Sequence, residues 1–206
     1  MFLSMDARVG NQSEYSASEL GLTVRMKSKS ITTALSIMTI SATALLADTS
    51  IVTNKEDQNG RKKSVIKNCS GHKTGEIITE KPDYCGRKKS VSKDSRGRTT
   101  GTAETSKPDY YGRKKTIFKD SQGRIIGTAE ISKPDYYGRV KTVYKDSRGR
   151  VIGSSETRKP DYYGRQTTTF KDKSGRTTGK AQTSKADYYG RKKTKVQGKT
   201  PLEGLR

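Results

Sequence analysis

Glycine recurs at Gly60, Gly86, Gly112, Gly138, Gly164 and Gly190, a spacing of 26 residues held without an insertion. A fixed period marks an array in which one supersecondary unit stacks on the next. An unstructured tract has no mechanical reason to preserve its length. Each unit reads approximately G-R-K-K-T-V-Y-K-D-S-x-G-R-x-I-G-T-A-E-T-S-K-P-D-Y-Y, with five complete copies and the beginning of a sixth.

Two segments of the unit share one pattern. D-S-x-G-R places Asp94, Asp120 and Asp146 three residues ahead of Gly97, Gly123 and Gly149, and D-Y-Y-G-R does the same for Asp109, Asp135, Asp161 and Asp187 with Gly112, Gly138, Gly164 and Gly190. An Asp that bonds its own downstream backbone N–H, followed by Gly in the left-handed region, closes a type I turn with a bulge. Pro108, Pro134 and Pro160 stand just before the second turn and stiffen its entry. Between the turns lie short runs rich in Thr, Ile, Val and Tyr, such as 115–119 and 124–131, of ordinary strand length.

The predicted fold is all-β: tandem β-hairpins over residues 60–198 forming an extended antiparallel meander, a solenoid-like array, preceded by a helical signal segment. Folding back at Asp120 to Gly123 sets Phe118 near Ile125, and the next copy sets Tyr144 near Val151, with a one-residue slip open at the bulge. The outer copies pair Ser92 with Thr99 and Phe170 with Thr177, so they read as caps. The remaining boundaries are an upstream segment at 1–25, a signal peptide at 26–47, a linker at 48–59 and a tail at 199–206.

The D-S-x-G-R and D-Y-Y-G-R turns resemble those of YD (RHS-type) repeats, extracellular β-hairpin arrays of bacterial toxins and surface proteins. Lys119, Lys145 and Lys171 stand where that family carries an aromatic residue, and Ile125, Val151 and Thr177 where it carries Leu. The resemblance covers the repeats alone and implies a bacterial envelope or secreted β-repeat protein.

Charge narrows the partners. The chain has 43 Lys+Arg against 21 Asp+Glu, a formal charge of +22. Such a balance favours anionic partners, among them cell-wall polymer, lipopolysaccharide, nucleic acid and an anionic membrane surface. The blander reading is that the charge keeps a flat β-protein soluble. Leu, Ile, Val and Phe together make up under a fifth of the residues, which by composition alone leaves a disordered tract open. In the meander, Arg113, Arg139, Arg165 and Arg191 line one edge and Arg98, Arg124, Arg150 and Arg176 the other; with Lys114 and Lys115 they form the candidate polyanion-binding ladder. Repeats about 9.6 Å apart suit a periodic phosphate or carboxylate polymer.

Residues from Met26 read MKSKSITTALSIMTISATALLADTS, with Lys27 and Lys29 ahead of an uncharged run. That is the plan of a secretory signal peptide, with cleavage expected near Ala44 or Ala47 and a secreted, periplasmic or envelope-bound product. Met26 is the expected initiator.

Cys69 and Cys85 replace a turn Ser and a turn Tyr and form the candidate disulfide, although they fall at successive turns on opposite edges. His72 is the single histidine, so neither a partnered catalytic His nor a metal site is expected, and no cofactor. The doublets Tyr110-Tyr111, Tyr136-Tyr137, Tyr162-Tyr163 and Tyr188-Tyr189 are expected to cover a turn against the neighbouring hairpin, with stacking on bases or sugars as the alternative. The expected function is that of a non-enzymatic exported bacterial repeat protein presenting its basic ladder to an anionic polymer or cell surface. A nucleic-acid-binding or cell-entering basic protein is the first alternative. A secreted effector that binds a protein by strand addition at an open sheet edge is the second.

Overall fold

A computed structural model describes residues 49–201 and Leu205. The upstream segment, the signal peptide and its cleavage positions lie outside the described residues. The chain forms twelve strands: β1 (Thr49–Thr53), β2 (Lys62–Lys67), β3 (Lys73–Thr79), β4 (Lys88–Asp94), β5 (Thr99–Thr105), β6 (Lys114–Asp120), β7 (Ile125–Ile131), β8 (Val140–Asp146), β9 (Val151–Thr157), β10 (Gln166–Asp172), β11 (Thr177–Thr183) and β12 (Lys192–Gly198). Each strand pairs antiparallel with its sequence neighbours, and β1 also pairs with β12, so the sheet closes into a barrel.

Closure corrects the expected open, solenoid-like meander. Antiparallel strands twist, and a twisted sheet of this many strands curls until its first and last strands can satisfy each other's backbone groups. Five residues of β1 pair with β12 and four pair with β2. Residues 49–59 of the segment expected as a linker at 48–59 are thus the closing strand and its turn. Thr53, Lys55, Asp57, Gly60 and Arg61 repeat the T-S-K-P-D-Y-Y-G-R signature with its Pro and both tyrosines replaced. The sixth hairpin is split between the two ends of the described chain, and no outer copies act as caps.

The five intact hairpins share one register. Phe118 lies opposite Gly127, and Lys119, the next residue, lies opposite Ile125. The return strand therefore carries one extra residue, Ile126, which packs against the core. This corrects the expected facing pairs: Phe118 meets a glycine, which leaves room for its ring, while Ile125 and Val151 are 53% and 48% exposed. Ser92 and Phe170 likewise lie opposite Gly101 and Gly179.

Alternate residues point inward. Two apolar clusters fill the middle of the barrel, one of Ile51, Ile66, Ile77, Phe170, Ala181 and Val196, the other of Ala103, Phe118, Ala129, Tyr144 and Leu205. Towards the D-Y-Y-G-R turns, here the tyrosine end, the interior becomes a girdle of hydroxyl pairs: Thr53 with Ser64, Thr79 with Ser90, Thr105 with Thr116, Thr157 with Thr168 and Thr183 with Thr194, all at 2.9–3.0 Å. Paired hydroxyls satisfy each other, so Thr and Ser line a closed interior without stranding donors.

The opposite, serine end is closed by the chain itself. Lys199, Thr200, Pro201 and Leu205, within the expected tail, turn into the mouth. The N–H of Lys199 donates to the Thr178 carbonyl at 2.9 Å, and Thr200, Pro201 and Leu205 are buried. Inward-facing glycines make this entry possible. A Cβ on Gly127 would stand 2.4 Å from the Leu205 side chain, and one on Gly153 would stand 2.8 Å from Pro201.

Candidate functional site

Both families of turns form as the sequence predicts. At Asp120 the backbone N–H donates to the Arg124 carbonyl, and the N–H of Gly123 donates back to the Asp120 carbonyl. Oδ1 of Asp120 accepts the N–H groups of Gln122 and Arg124, while Oδ2 accepts Nε of Arg124 at 2.8 Å. Gly97, Gly112, Gly123, Gly138, Gly149, Gly164 and Gly190 all have φ between 72° and 83°.

That geometry changes the meaning of the arginine ladder. Arg98, Arg113, Arg124, Arg139, Arg150, Arg165 and Arg191 each hold the turn Asp four residues before them at 2.7–2.9 Å. Arg176 makes the backbone bond to its Asp172. Seven of the eight guanidinium groups thus serve the turns first and face water with part of their charge already matched. The carboxyls respond accordingly. The Arg98 side chain leads in holding Asp94 below its ordinary range, and the Arg139 backbone leads at Asp135. At Asp109, Asp120, Asp146, Asp161 and Asp187, partial desolvation pushes the carboxyl up, and the combined bonds from the partner Arg outweigh it.

The tyrosines do not cover neighbouring turns. Tyr110, Tyr136, Tyr162 and Tyr188 are 96–97% exposed, and each meets the second ring of its doublet edge-on with centroids 5.4 Å apart. The second ring instead carries the turn arginine over its face, 4.9–5.2 Å from its centroid. Such a stack fixes the Tyr–Arg pair and leaves the outer ring in water. The tyrosine end is therefore crowned by four Tyr–Tyr–Arg groups, with the ring of Tyr84 fully exposed as a fifth at the β3–β4 turn.

On the outer wall charge is unevenly distributed. Glu76, Glu104, Glu130 and Glu156 project outward from β3, β5, β7 and β9, and each ties down a cation. Lys63 and Lys73 meet Glu76 at 2.9 and 2.8 Å, Lys119 meets Glu104 at 3.0 Å, Lys145 meets Glu130 at 2.8 Å, and Arg139 approaches Glu156 at 3.9 Å. Lys115 of the expected ladder lies directly opposite Glu130. On β11 the carboxylate is replaced by Gln182, while Lys180 stands where the other copies carry Glu76, Thr or Ser, and Lys195 where they carry Val, Ile or Thr. The outward positions from β10 to β1 present Lys171, Lys180, Lys193 and Lys195 with Thr167, Thr169, Gln182, Gln197, Ser50 and Val52, and no carboxylate. Lys180 lies opposite Gln197, two residues along from Lys195, which places the two lysines about 7–8 Å apart on the diagonal. Outward lysines on strands of five to seven residues make this a water-facing wall, not an apolar lipid-facing band.

No family model matches the chain, and no curated protein matches it. Among solved structures, it is similar to the X-ray structure of a protein from Arabidopsis thaliana, at 12% identity over 76% of this chain and 84% of that one, with a TM-score of 0.42. That likeness carries no argument about function.

Cys69 sits in the β2–β3 turn at the serine end and Cys85 in the β3–β4 turn at the tyrosine end; both are exposed and free. A seven-residue strand separates them, well beyond disulfide reach, so the candidate disulfide is not formed. His72 takes the Arg position of its turn, donating its backbone N–H to Asn68. Lys114 parts company with Lys115: alternation turns it inward, half-buried, at the mouth of the tyrosine end.

Proposed function

We propose that the protein is a non-enzymatic interaction module of the bacterial envelope or exterior, which lays an anionic polymer along one side of its barrel. The observation that carries this reading is the outer wall from β10 to β1, where Lys171, Lys180, Lys193 and Lys195 face water with no outward carboxylate. Elsewhere on the wall a glutamate recurs with every hairpin and matches the lysines across from it. An anionic chain running over β10–β12 meets a continuous row of unmatched ammonium groups and displaces its own counterions. The export signal read at residues 26–47 supplies the setting.

Strand addition loses its physical basis, because every described strand already has two partners and the sheet offers no edge. The nucleic-acid reading keeps one supporting observation, the exposed rings of Tyr110, Tyr136, Tyr162 and Tyr188, which can stack on unpaired bases.

Heparin, as a generic polyanion, tests the proposal. The triple variant Lys180→Gln, Lys193→Gln, Lys195→Gln is expected to weaken binding at least about ten-fold at moderate salt and to flatten its salt dependence by about three charges. Lys89→Gln, Lys115→Gln, Lys141→Gln removes the same charge from positions facing Glu104, Glu130 and Glu156, and is expected to do much less. Equal losses from both triples would show that net charge alone governs binding and would end the proposal. A preference for single-stranded DNA over heparin, lost when Tyr110, Tyr136, Tyr162 and Tyr188 become Ala, would favour the nucleic-acid reading.

A further inference from the structure

The first position of each even-numbered strand faces into the barrel, one layer above the hydroxyl girdle at the tyrosine end. In β2, β4, β6 and β12 that position is lysine: Lys62, Lys88, Lys114 and Lys192, all half-buried. In β8 and β10 it is Val140 and Gln166, both buried. The fold thus accepts an uncharged side chain at this position, and four lysines gathered around one mouth are not demanded by packing. Like charges there work against folding. Partial burial and repulsion from Lys62 and Lys114 press the Lys88 ammonium below its ordinary value, which places the three groups within one another's field. Glu56 bonds Lys62 at 2.9 Å, and among the described residues neither Lys88 nor Lys114 takes part in an ion pair.

Two clefts open between hairpin turns onto these lysines. One of about 450 Å³ is lined by Ser106, Arg113, Lys114, Lys115 and Lys141 among others. The second, of about 220 Å³, occupies the equivalent place one repeat earlier and is lined by Lys81, Arg87, Lys88 and Lys89 among others. Carboxylates also line both clefts, Asp109 and Glu130 in the first and Glu80, Asp83 and Glu104 in the second; Asp109 and Asp83 are held by Arg113 and Arg87, and Lys114 and Lys88 are the inward-facing lysines of the two clefts.

We propose that this mouth binds a compact oligophosphate, whose phosphoryl oxygens are gathered by Lys62, Lys88, Lys114 and Lys192 above the hydroxyl floor. The charge selects the ligand class. Four lysines against Glu56 leave three unmatched positive charges. A carboxylate supplies one negative charge and free sulfate two, whereas a terminal phosphoryl group brings about −1.5 to −2 near neutrality and a bridging one about −1, so a di- or triphosphate supplies about three or more. Lysine suits such a ligand as a mobile point charge that needs no fixed bidentate geometry. The site is separate from the outer wall, and the two stand or fall apart.

Calorimetric titration of the whole chain with sodium tripolyphosphate at physiological salt tests the proposal. One saturable site per chain is expected, with orthophosphate and sulfate at least about ten-fold weaker. Lys88→Gln with Lys114→Gln, a change the barrel already tolerates at Gln166, is expected to reduce tripolyphosphate affinity by about ten-fold or more, each lost charge-assisted bond being worth a comparable factor. The wall triple at Lys180, Lys193 and Lys195 is expected to leave this affinity within about two-fold, and circular dichroism of each variant checks that the β-fold persists. Absence of saturable binding, unchanged affinity in the Lys88/Lys114 variant, or an equal loss from the wall triple would each overturn the proposal. Heparin binding that depends on the wall triple stands as a separate result in every case.

Discussion

Ile51 gives the sharpest test of closure. It is 1% exposed and packs in the cluster of Ile66, Ile77, Phe170, Ala181 and Val196, on a strand bonded to both β12 and β2. Replacing it with Ala deletes a buried branched side chain from a site that cannot collapse without bending two ladders, a change that costs about 2–5 kcal/mol. With a urea slope of about 1.5–2 kcal/mol per molar for a domain of this size, a loss near 3.5 kcal/mol moves the unfolding midpoint down by about 2 M. Val52 points outward from the same strand, and Val52→Ala is expected to stay within about 1 kcal/mol, or about 0.5 M. Tyrosine fluorescence and far-UV circular dichroism in urea report both. If Ile51→Ala unfolds the protein outright, Ile51→Val supplies a graded version, with a shift of about 0.3–0.9 M. A shift for Ile51→Ala no larger than that for Val52→Ala would mean that residues 49–53 lie in solvent, and the closed barrel would be refuted.

Other consequences can be measured on the same material. Gly123→Ala forces a side chain into φ of 83° with nothing within 4 Å, so strain alone acts and the cost is about 1–2 kcal/mol; Gly127→Ala carries no such strain but collides with Leu205 and with the Lys145 carbonyl, and is expected to cost more. Because Asp94, Asp109, Asp120, Asp135, Asp146, Asp161 and Asp187 titrate below the ordinary 3.8 when folded, their contribution is complete above that value and disappears as pH falls through the lower folded values. Thermal melts between pH 5 and pH 2 are expected to show that fall, and a flat profile would contradict the Asp–Arg turns. Burial pushes the Tyr144 hydroxyl up to about 12 despite its 3.1 Å bond to Ser155, so stability is expected to decline as pH rises above 10, and Tyr144→Phe to lessen that decline. Both Cys69 and Cys85 are expected to react with a thiol reagent in the native protein, and a mass two hydrogens lighter without reductant would contradict their separation.

The hairpins were legible because their signals are local. An Asp three residues before a Gly closes its own turn, and Thr-rich runs between such turns have no other economical use. Closure was not legible, because the turn after β1 carries the repeat signature without its Pro or its tyrosines, and Thr49–Thr53 is a five-residue run without a flanking repeat until β12 is placed beside it. The pairing within the arginine ladder was hidden for a related reason. Arg113 and its equivalents read in sequence as a row of charges, yet an Arg four residues after a turn Asp finds its first partner at once. The better signal was a set of differences between copies: T-A-E becomes K-A-Q at 180–182, and the apolar residue at 117 or 143 becomes Lys195. A consensus averages those differences away. The mouth lysines were equally hidden, since K-K at 114–115 reads as one basic patch until alternation sends one side chain inward and its neighbour outward.

The split sixth hairpin also bears on how such a chain can change. An open array lengthens by adding a unit at its end, with little effect on the units already present. A ring that closes on its own first strand has no end to extend. One more 26-residue copy would add two strands and widen the circumference for every hairpin at once, pulling Phe118, Tyr144 and Phe170 away from the residues they now fill against. Copy number is thereby locked by geometry while the individual copies stay free to diverge, and novelty in this architecture has to come from single substitutions of the kind that turned one sector of the wall uniformly cationic.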